Sequence, residues 1–181
     1  PEMFATLRGK VIFEGTAAGS NFAEYRVQVG QGLNPQAWIQ VGEDAVQPVT
    51  DGKLAEWDTT GLNGLYAVQL LVVQKDNSVE TFTTQVLVDN QPPAAQITYP
   101  AKENADHFTI NQRITFQAEA SDEEHLARVE WWLDGKLVQT LTEAPFVYPW
   151  TAQRGNHTIE LRAYDAAGNE FRTPALTLNI K

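Results

Sequence analysis

Cysteine is absent from the 181 residues, which removes disulfide staples and thiolate metal sites from consideration. That absence leaves the compartment open, since bacterial surface modules often fold without disulfides. Basic residues are scarce: 13 Lys and Arg stand against 23 Asp and Glu, a formal net charge of −10. Both halves share the deficit, with 5 basic against 11 acidic residues over 1–90 and 8 against 12 over 91–181. Binding to a phosphate backbone or an anionic bilayer needs clustered Lys and Arg, so neither nucleic acid nor a membrane surface is expected as a partner. No stretch reaches the roughly 18 consecutive apolar residues of a membrane-spanning helix. Pro1-Glu2-Met3 opens neither a signal peptide nor a natural start, and we expect the chain to be a piece of a larger protein.

Catalytic signatures are missing as well. His107, His125 and His157 lie in separate segments without a His-x-x-x-His spacing. There is no Gly-x-Ser-x-Gly elbow, no phosphate-cradling glycine loop and no Ser-x-x-Lys. Each of these patterns places a nucleophile, base or metal ligand where chemistry needs it. Without them, the carboxylates read as solvated faces and the chain is expected not to be an enzyme.

What the sequence does have is one unit written twice. Gly64, Tyr66, Val68 and Leu70 reappear 91 positions later as Gly155, His157, Ile159 and Leu161, with Trp57 and Trp150 upstream of the two sets. A period of that length is a whole small domain. Within each unit, apolar residues alternate with polar ones over runs of five to eleven residues, the period of half-buried strands, and no long window has a helical period. Strands are expected at 9–16, 23–29, 37–41, 54–58, 65–75 and 79–88, then at 95–99, 113–120, 128–133, 136–142, 146–150, 157–164 and 175–180. Turn chemistry separates them, as at Asp51-Gly52, Asp76-Asn77-Ser78 and Asp134-Gly135, the last being a strong type I′ hairpin signal. Trp131 is in phase with Val129 and Leu133 and should be a core tryptophan, with Trp132 facing out. Asp89-Asn90-Gln91-Pro92-Pro93 breaks the pattern, because paired prolines supply no amide donors and no strand runs through them. The expected fold is therefore all-β: two tandem immunoglobulin-like or fibronectin III-like β-sandwiches over 1–90 and 91–181, joined by a short Pro-Pro linker at 89–94.

Three sets of residues are candidates for function. His157 stands where the first unit has Tyr66 and is expected to hydrogen-bond the preceding turn, as a tyrosine corner does. Strand order in such a sandwich brings the linker, the loop Ser121-Asp122-Glu123-Glu124 and the loop Asp165-Ala166-Ala167-Gly168-Asn169 to one pole. Asp89, Asn90, Asp122, Glu123 and Asp165 are thus expected to converge between the domains. Calcium takes about six to eight oxygen ligands and is the cofactor such a cluster would hold. The other reading is of ordinary hydrated turns without any cofactor, and the Asp-x-Asp pattern of cadherin joints is missing. Third, Trp38, Trp132 and Tyr148 are expected to point outward, where flat rings stack on sugar faces; the alternative places them in a core or an interface.

Several segments together carry a family resemblance: Gly15-Thr16-Ala17, Tyr25-Arg26-Val27-Gln28-Val29-Gly30, Trp38-Ile39-Gln40-Val41-Gly42, Leu54-Ala55-Glu56-Trp57-Asp58-Thr59 and Val88-Asp89-Asn90-Gln91-Pro92-Pro93. They resemble the C-terminal β-sandwich extension of bacterial class A penicillin-binding proteins, which are bifunctional peptidoglycan synthases. The second unit resembles a bacterial Ig-like module through Val129-Glu130-Trp131-Trp132-Leu133-Asp134-Gly135 and Ala163-Tyr164-Asp165-Ala166-Ala167-Gly168-Asn169. The resemblance implies an extracytoplasmic place in the cell envelope, upstream catalytic domains in the parent chain, and peptidoglycan or a cell-wall protein as partner. It brings no active site, since Ser-x-x-Lys, Ser-x-Asn and Lys-Thr-Gly have no match in the chain. Two functions follow as expectations: a noncatalytic accessory region that spaces or docks a synthase, or a carbohydrate-binding module that grips peptidoglycan through exposed rings.

Overall fold

The computed structural model describes residues 1–102 and 108–181. The chain forms two compact units, Pro1–Asn90 and Gln91–Lys181. In the first, β1 (Ala5–Leu7), β7 (Val79–Val88), β6 (Gly64–Gln74), β3 (Phe22–Gln31) and β4 (Ile39–Ala45) make one sheet in that order, and β2 (Lys10–Ala17) pairs with β5 (Val49–Asp58) in a second. In the second unit, β11 (Lys136–Leu141), β10 (Leu126–Leu133), β13 (Gly155–Asp165) and β14 (Glu170–Arg172) form one sheet, with β15 (Leu176–Ile180) also on β13. The opposing sheet is β12 (Phe146–Thr151), β9 (Arg113–Ser121) and β8 (Ala94–Tyr99). Among the described residues no helix is long and apolar enough to cross a membrane.

Period-2 alternation decides what lies between the sheets. On β10, Val129 and Trp131 are buried, and on β13, Ile159, Leu161 and Ala163 are buried on the matching face. They meet Ile114 and Phe116 of β9 and Trp150 of β12 in one core. Phe116 lies at the centre, its ring centroid 5.9 Å from Trp131 and 6.1 Å from Trp150. The first unit repeats the arrangement with Phe13, Trp57 and Tyr66 among the apolar side chains of β3, β6 and β7. The repeat is visible in ring geometry: Trp57 meets Tyr66 edge-on at 5.2 Å and 65°, and Trp150 meets His157 at 5.0 Å and 66°.

Asp51-Gly52 departs from its expected role as a turn. Both residues lie within β5, which starts at Val49. Asp51 has a positive φ of 47° where the β2–β5 register shifts, and its amide and carboxylate bond Thr16 Oγ1 at 3.0 and 3.1 Å. A turn-forming residue is thus absorbed by a β-bulge, the other place where αL backbone is useful. Asp134-Gly135 does form the β10–β11 hairpin, with φ of 49° and 73°.

Asp134 also ties that hairpin to β13. Its Oδ1 accepts from the Thr158 amide at 2.8 Å, and its Oδ2 lies 2.7 Å from His157 Nδ1. The other ring nitrogen of His157 is 3.1 Å from the Gln153 carbonyl, so the ring does contact the preceding turn. Burial pushes the Asp134 carboxyl up, but the His157 ring and the Thr158 amide outweigh it and hold the pKa below its ordinary 3.8. Because the folded value is depressed, the stabilisation is present in full above about pH 4 and disappears as pH falls through the folded value. Asp134→Asn keeps a residue tolerant of positive φ and should cost on the order of 0.5–1 kcal/mol at pH 7 for this half-exposed group. In denaturant titrations from pH 7 to pH 2, the gap between wild type and variant should close below about pH 4; a gap constant with pH would contradict this account.

Candidate functional site

The outward row of the second unit's larger sheet carries a linked array of polar and aromatic side chains. Because Val129, Trp131, Ile159, Leu161 and Ala163 face the core, Arg128, Glu130 and Trp132 of β10 and Glu160, Arg162 and Tyr164 of β13 face the other way. Register sets Arg128 opposite Tyr164, Glu130 opposite Arg162 and Trp132 opposite Glu160, and on the far side Tyr164 opposite Glu170. The Arg128 guanidinium carbon lies 3.9 Å from the Tyr164 ring centre, and that of Arg162 lies 3.7 Å from the Trp132 ring. Such stacks contribute about 0.5–2 kcal/mol each, depending on how far they are desolvated.

Carboxylates bind the array together. Glu130 is 8% exposed and accepts from Arg128 Nε at 2.8 Å and from Trp132 Nε1 at 3.1 Å. Glu160 accepts from Arg162 Nε at 2.6 Å. Glu170 accepts from the Tyr164 hydroxyl at 2.6 Å and from an Arg172 terminal nitrogen at 2.9 Å. Burial, then the hydrogen bond to Glu170 and the nearby Glu130 charge, pushes the Tyr164 phenol up to about 12. The hydrogen bonds from Arg172 and Tyr164 hold Glu170 low. Tyr164 therefore stays protonated at neutral pH, and the array is a set of mutually satisfied charges with no free base. Trp132 was legible as an outward residue, but its partners required the β10–β13 register, which one strand's sequence does not contain.

The candidate rings have separate placements. Trp132 faces out, half-buried, with Arg162 over its ring. Tyr148 takes the other placement the sequence left open. It packs on the core, stacked with Phe116 at 6.1 Å and 10° between planes, and burial raises its pKa. The reason is phase: Phe146, Tyr148 and Trp150 alternate along β12, and Tyr148 pairs directly with Phe116 of β9. Trp38 belongs to the first unit, half-buried before β4 and followed by the exposed Ile39.

The acidic candidates also divide. In the second unit, carboxylate oxygens of Asp122 and Asp165 lie within 4.8 Å of one another. Asp122 Oδ1 accepts from the amides of Glu124 and His125 at 3.0 and 2.8 Å. Asp165 is 2% exposed and is bonded through both oxygens by Asn169, from the backbone at 2.8 Å and the side chain at 2.7 Å. The Ala166 amide donates to the His125 carbonyl at 3.0 Å, joining the two loops. Glu123 is exposed beside them.

In the first unit, Asp89 is buried at the end of β7, and its amide donates to Leu7 at 2.9 Å. Asn90 corrects the sequence expectation of a cation ligand. Its Oδ1 accepts from Gly9 at 2.9 Å, its Nδ2 donates to the carbonyls of Thr59 and Leu62 at 2.8 Å each, and its amide donates to Asn63 Oδ1 at 2.7 Å. A side chain satisfying three backbone groups is a structural clasp, because leaving those groups unpaired would cost about 1–3 kcal/mol apiece where they are buried. His107 lies outside the described residues.

A family model described as a bacterial Ig domain matches residues 93–161. No curated protein matches the sequence. Among solved structures, the chain is similar to the fibronectin(III)-like modules of Clostridium thermocellum CbhA, with 21% identity, a TM-score of 0.60, and coverage of 100% of this chain and 91% of that one. It is also similar to the FN1-FN3 domains of chicken CNTN1, with 11% identity, a TM-score of 0.50, and coverage of 99% and 62%. These likenesses concern the fold: tandem Ig-like, fibronectin III-like β-sandwiches.

Proposed function

We propose that the chain is a noncatalytic accessory region of a bacterial cell-envelope protein, in which two Ig-like sandwiches space or dock the catalytic domains of a peptidoglycan synthase of the penicillin-binding class. The bacterial Ig match over residues 93–161 supports the modular part of this reading, and the resemblance of residues 15–93 to penicillin-binding protein extensions supports the parent. One observation favours spacing over ligand binding. In the second unit, two outward rings are covered by the chain's own guanidinium groups, Trp132 by Arg162 and Tyr164 by Arg128. Stacking a sugar on either covered face would first require displacing an interaction of similar strength.

The glycan-binding alternative rests on the partial exposure of Trp132 and Trp38. Calcium is a second alternative, resting on the neighbouring carboxylates of Asp122 and Asp165; the main reading has no cofactor there, since backbone and side-chain amides already bond both groups.

Two measurements bear on these readings. In sedimentation with insoluble peptidoglycan, the 181-residue chain should stay in the supernatant, and Trp132→Ala should behave alike; retention that disappears in Trp132→Ala would establish the binding module instead. In calorimetric titration after chelation, calcium should give neither heat nor a change in melting temperature; heat and a raised melting temperature that Asp122→Ala abolishes would establish the calcium alternative instead.

A further inference from the structure

The first strand of each unit takes a different place: β1 pairs parallel with β7, whereas β8 pairs antiparallel with β9. Lys-Val-Ile-Phe-Glu-Gly-Thr-Ala of β2 corresponds residue by residue to Arg-Ile-Thr-Phe-Gln-Ala-Glu-Ala at 113–120 of β9. The match places Phe13 with Phe116 and Ala17 with Ala120, and both phenylalanines are core residues. β9 has neighbours on both edges, β12 on one and β8 on the other, whereas β2 pairs only with β5. Among the described residues no strand lies on the other edge of β2.

In the second unit β8 runs antiparallel to β9, with Ala95 opposite Ala120, Ile97 opposite Ala118 and Tyr99 opposite Gln117. Ala95 and Ile97 pack on that unit's core. In the first unit the corresponding place is a groove of ≈ 200 Å³ lined by Pro1, Phe13, Gly15, Leu54, Leu70 and Phe82, among others. Phe82 is in phase on β7 with the buried Val86 and Val88, yet it is 59% exposed. An inward-phase phenylalanine left in solvent beside an unpaired strand edge is core surface without its cover.

We propose that the free edge of β2 from Glu14 to Ala17, with the groove beside it, seats one further strand of extended polypeptide of the β8 kind: antiparallel to β2 and apolar at alternate positions. The β8 register gives its direction. Tyr99 ends opposite Gln117 and is followed by Pro100, while in the first unit Pro1 lies in the groove with Glu14, the counterpart of Gln117. The seated strand therefore has its C-terminal end at Pro1. Main-chain hydrogen bonds to β2 hold it, and its alternate side chains cover Leu70 and Phe82, the mode in which a peptide extends a sheet.

Placing the β8 sequence Ala-Ala-Gln-Ile-Thr-Tyr directly before Pro1 tests this in a chain otherwise unchanged. A second extension, with aspartate in place of the added isoleucine, serves as control. Amide hydrogen exchange at the β2 positions that do not bond β5 should slow by roughly tenfold or more with the first extension, and Phe82 should become protected from solvent. The control should exchange like the 181-residue chain. Equal exchange in all three chains would overturn the proposal. So would β2 amides already protected in the 181-residue chain together with a dimer in sedimentation equilibrium, because the edge would then belong to a second copy.

Discussion

The structure depends on one constraint: side chains of a strand alternate, so a ring that fills the core commits its neighbour to the opposite face. In the second unit the inward row is aromatic, with Phe116 packed among Trp131, Tyr148 and Trp150. Truncating a buried phenylalanine to alanine costs about 3–5 kcal/mol, a large part of the roughly 5–15 kcal/mol that a small domain possesses. No disulfide shares that load, since the chain has no cysteine. The first unit solves the same problem with Phe13, Trp57 and Tyr66.

The outward rows inherit their positions from that packing. Trp132 is presented on the outer face because Trp131 occupies the core, and Arg162 and Glu160 meet it because Leu161 does the same on β13. Guanidinium groups then lie over the rings, and carboxylates satisfy the guanidinium groups. The result is a surface with neither a free nucleophile nor a bare aromatic platform among these residues. The accessory role proposed above asks for little else: a stable sandwich, acidic overall, with polar outer faces.

Much of this was legible in the sequence. Alternation separated Trp131 from Trp132, Asp134-Gly135 marked its hairpin, and 79–88 matches β7 at both ends. Tyr148 could have been placed on the core by the same rule, because Phe146 and Trp150 share its phase and Phe116 stands opposite it on β9. Other features were out of reach. β1 and β14 have three residues each, too few for a period to declare itself. Asp51-Gly52 has the chemistry of a turn and becomes a bulge only because β2 lies alongside. The role of Asn90 is set by carbonyls of Thr59 and Leu62, some thirty positions upstream, and no local pattern announces such a contact. Pairings across strands, such as Arg162 over Trp132, require register, which is a property of two segments together.

The central claim is that the outward ring of Trp132 is engaged by the fold itself. A double-mutant cycle on Trp132→Leu and Arg162→Gln, read by equilibrium denaturation, measures that engagement directly. The account predicts a favourable coupling of about 0.5–1.5 kcal/mol between the two positions. Strictly additive losses would contradict it and leave the Trp132 ring free for a ligand.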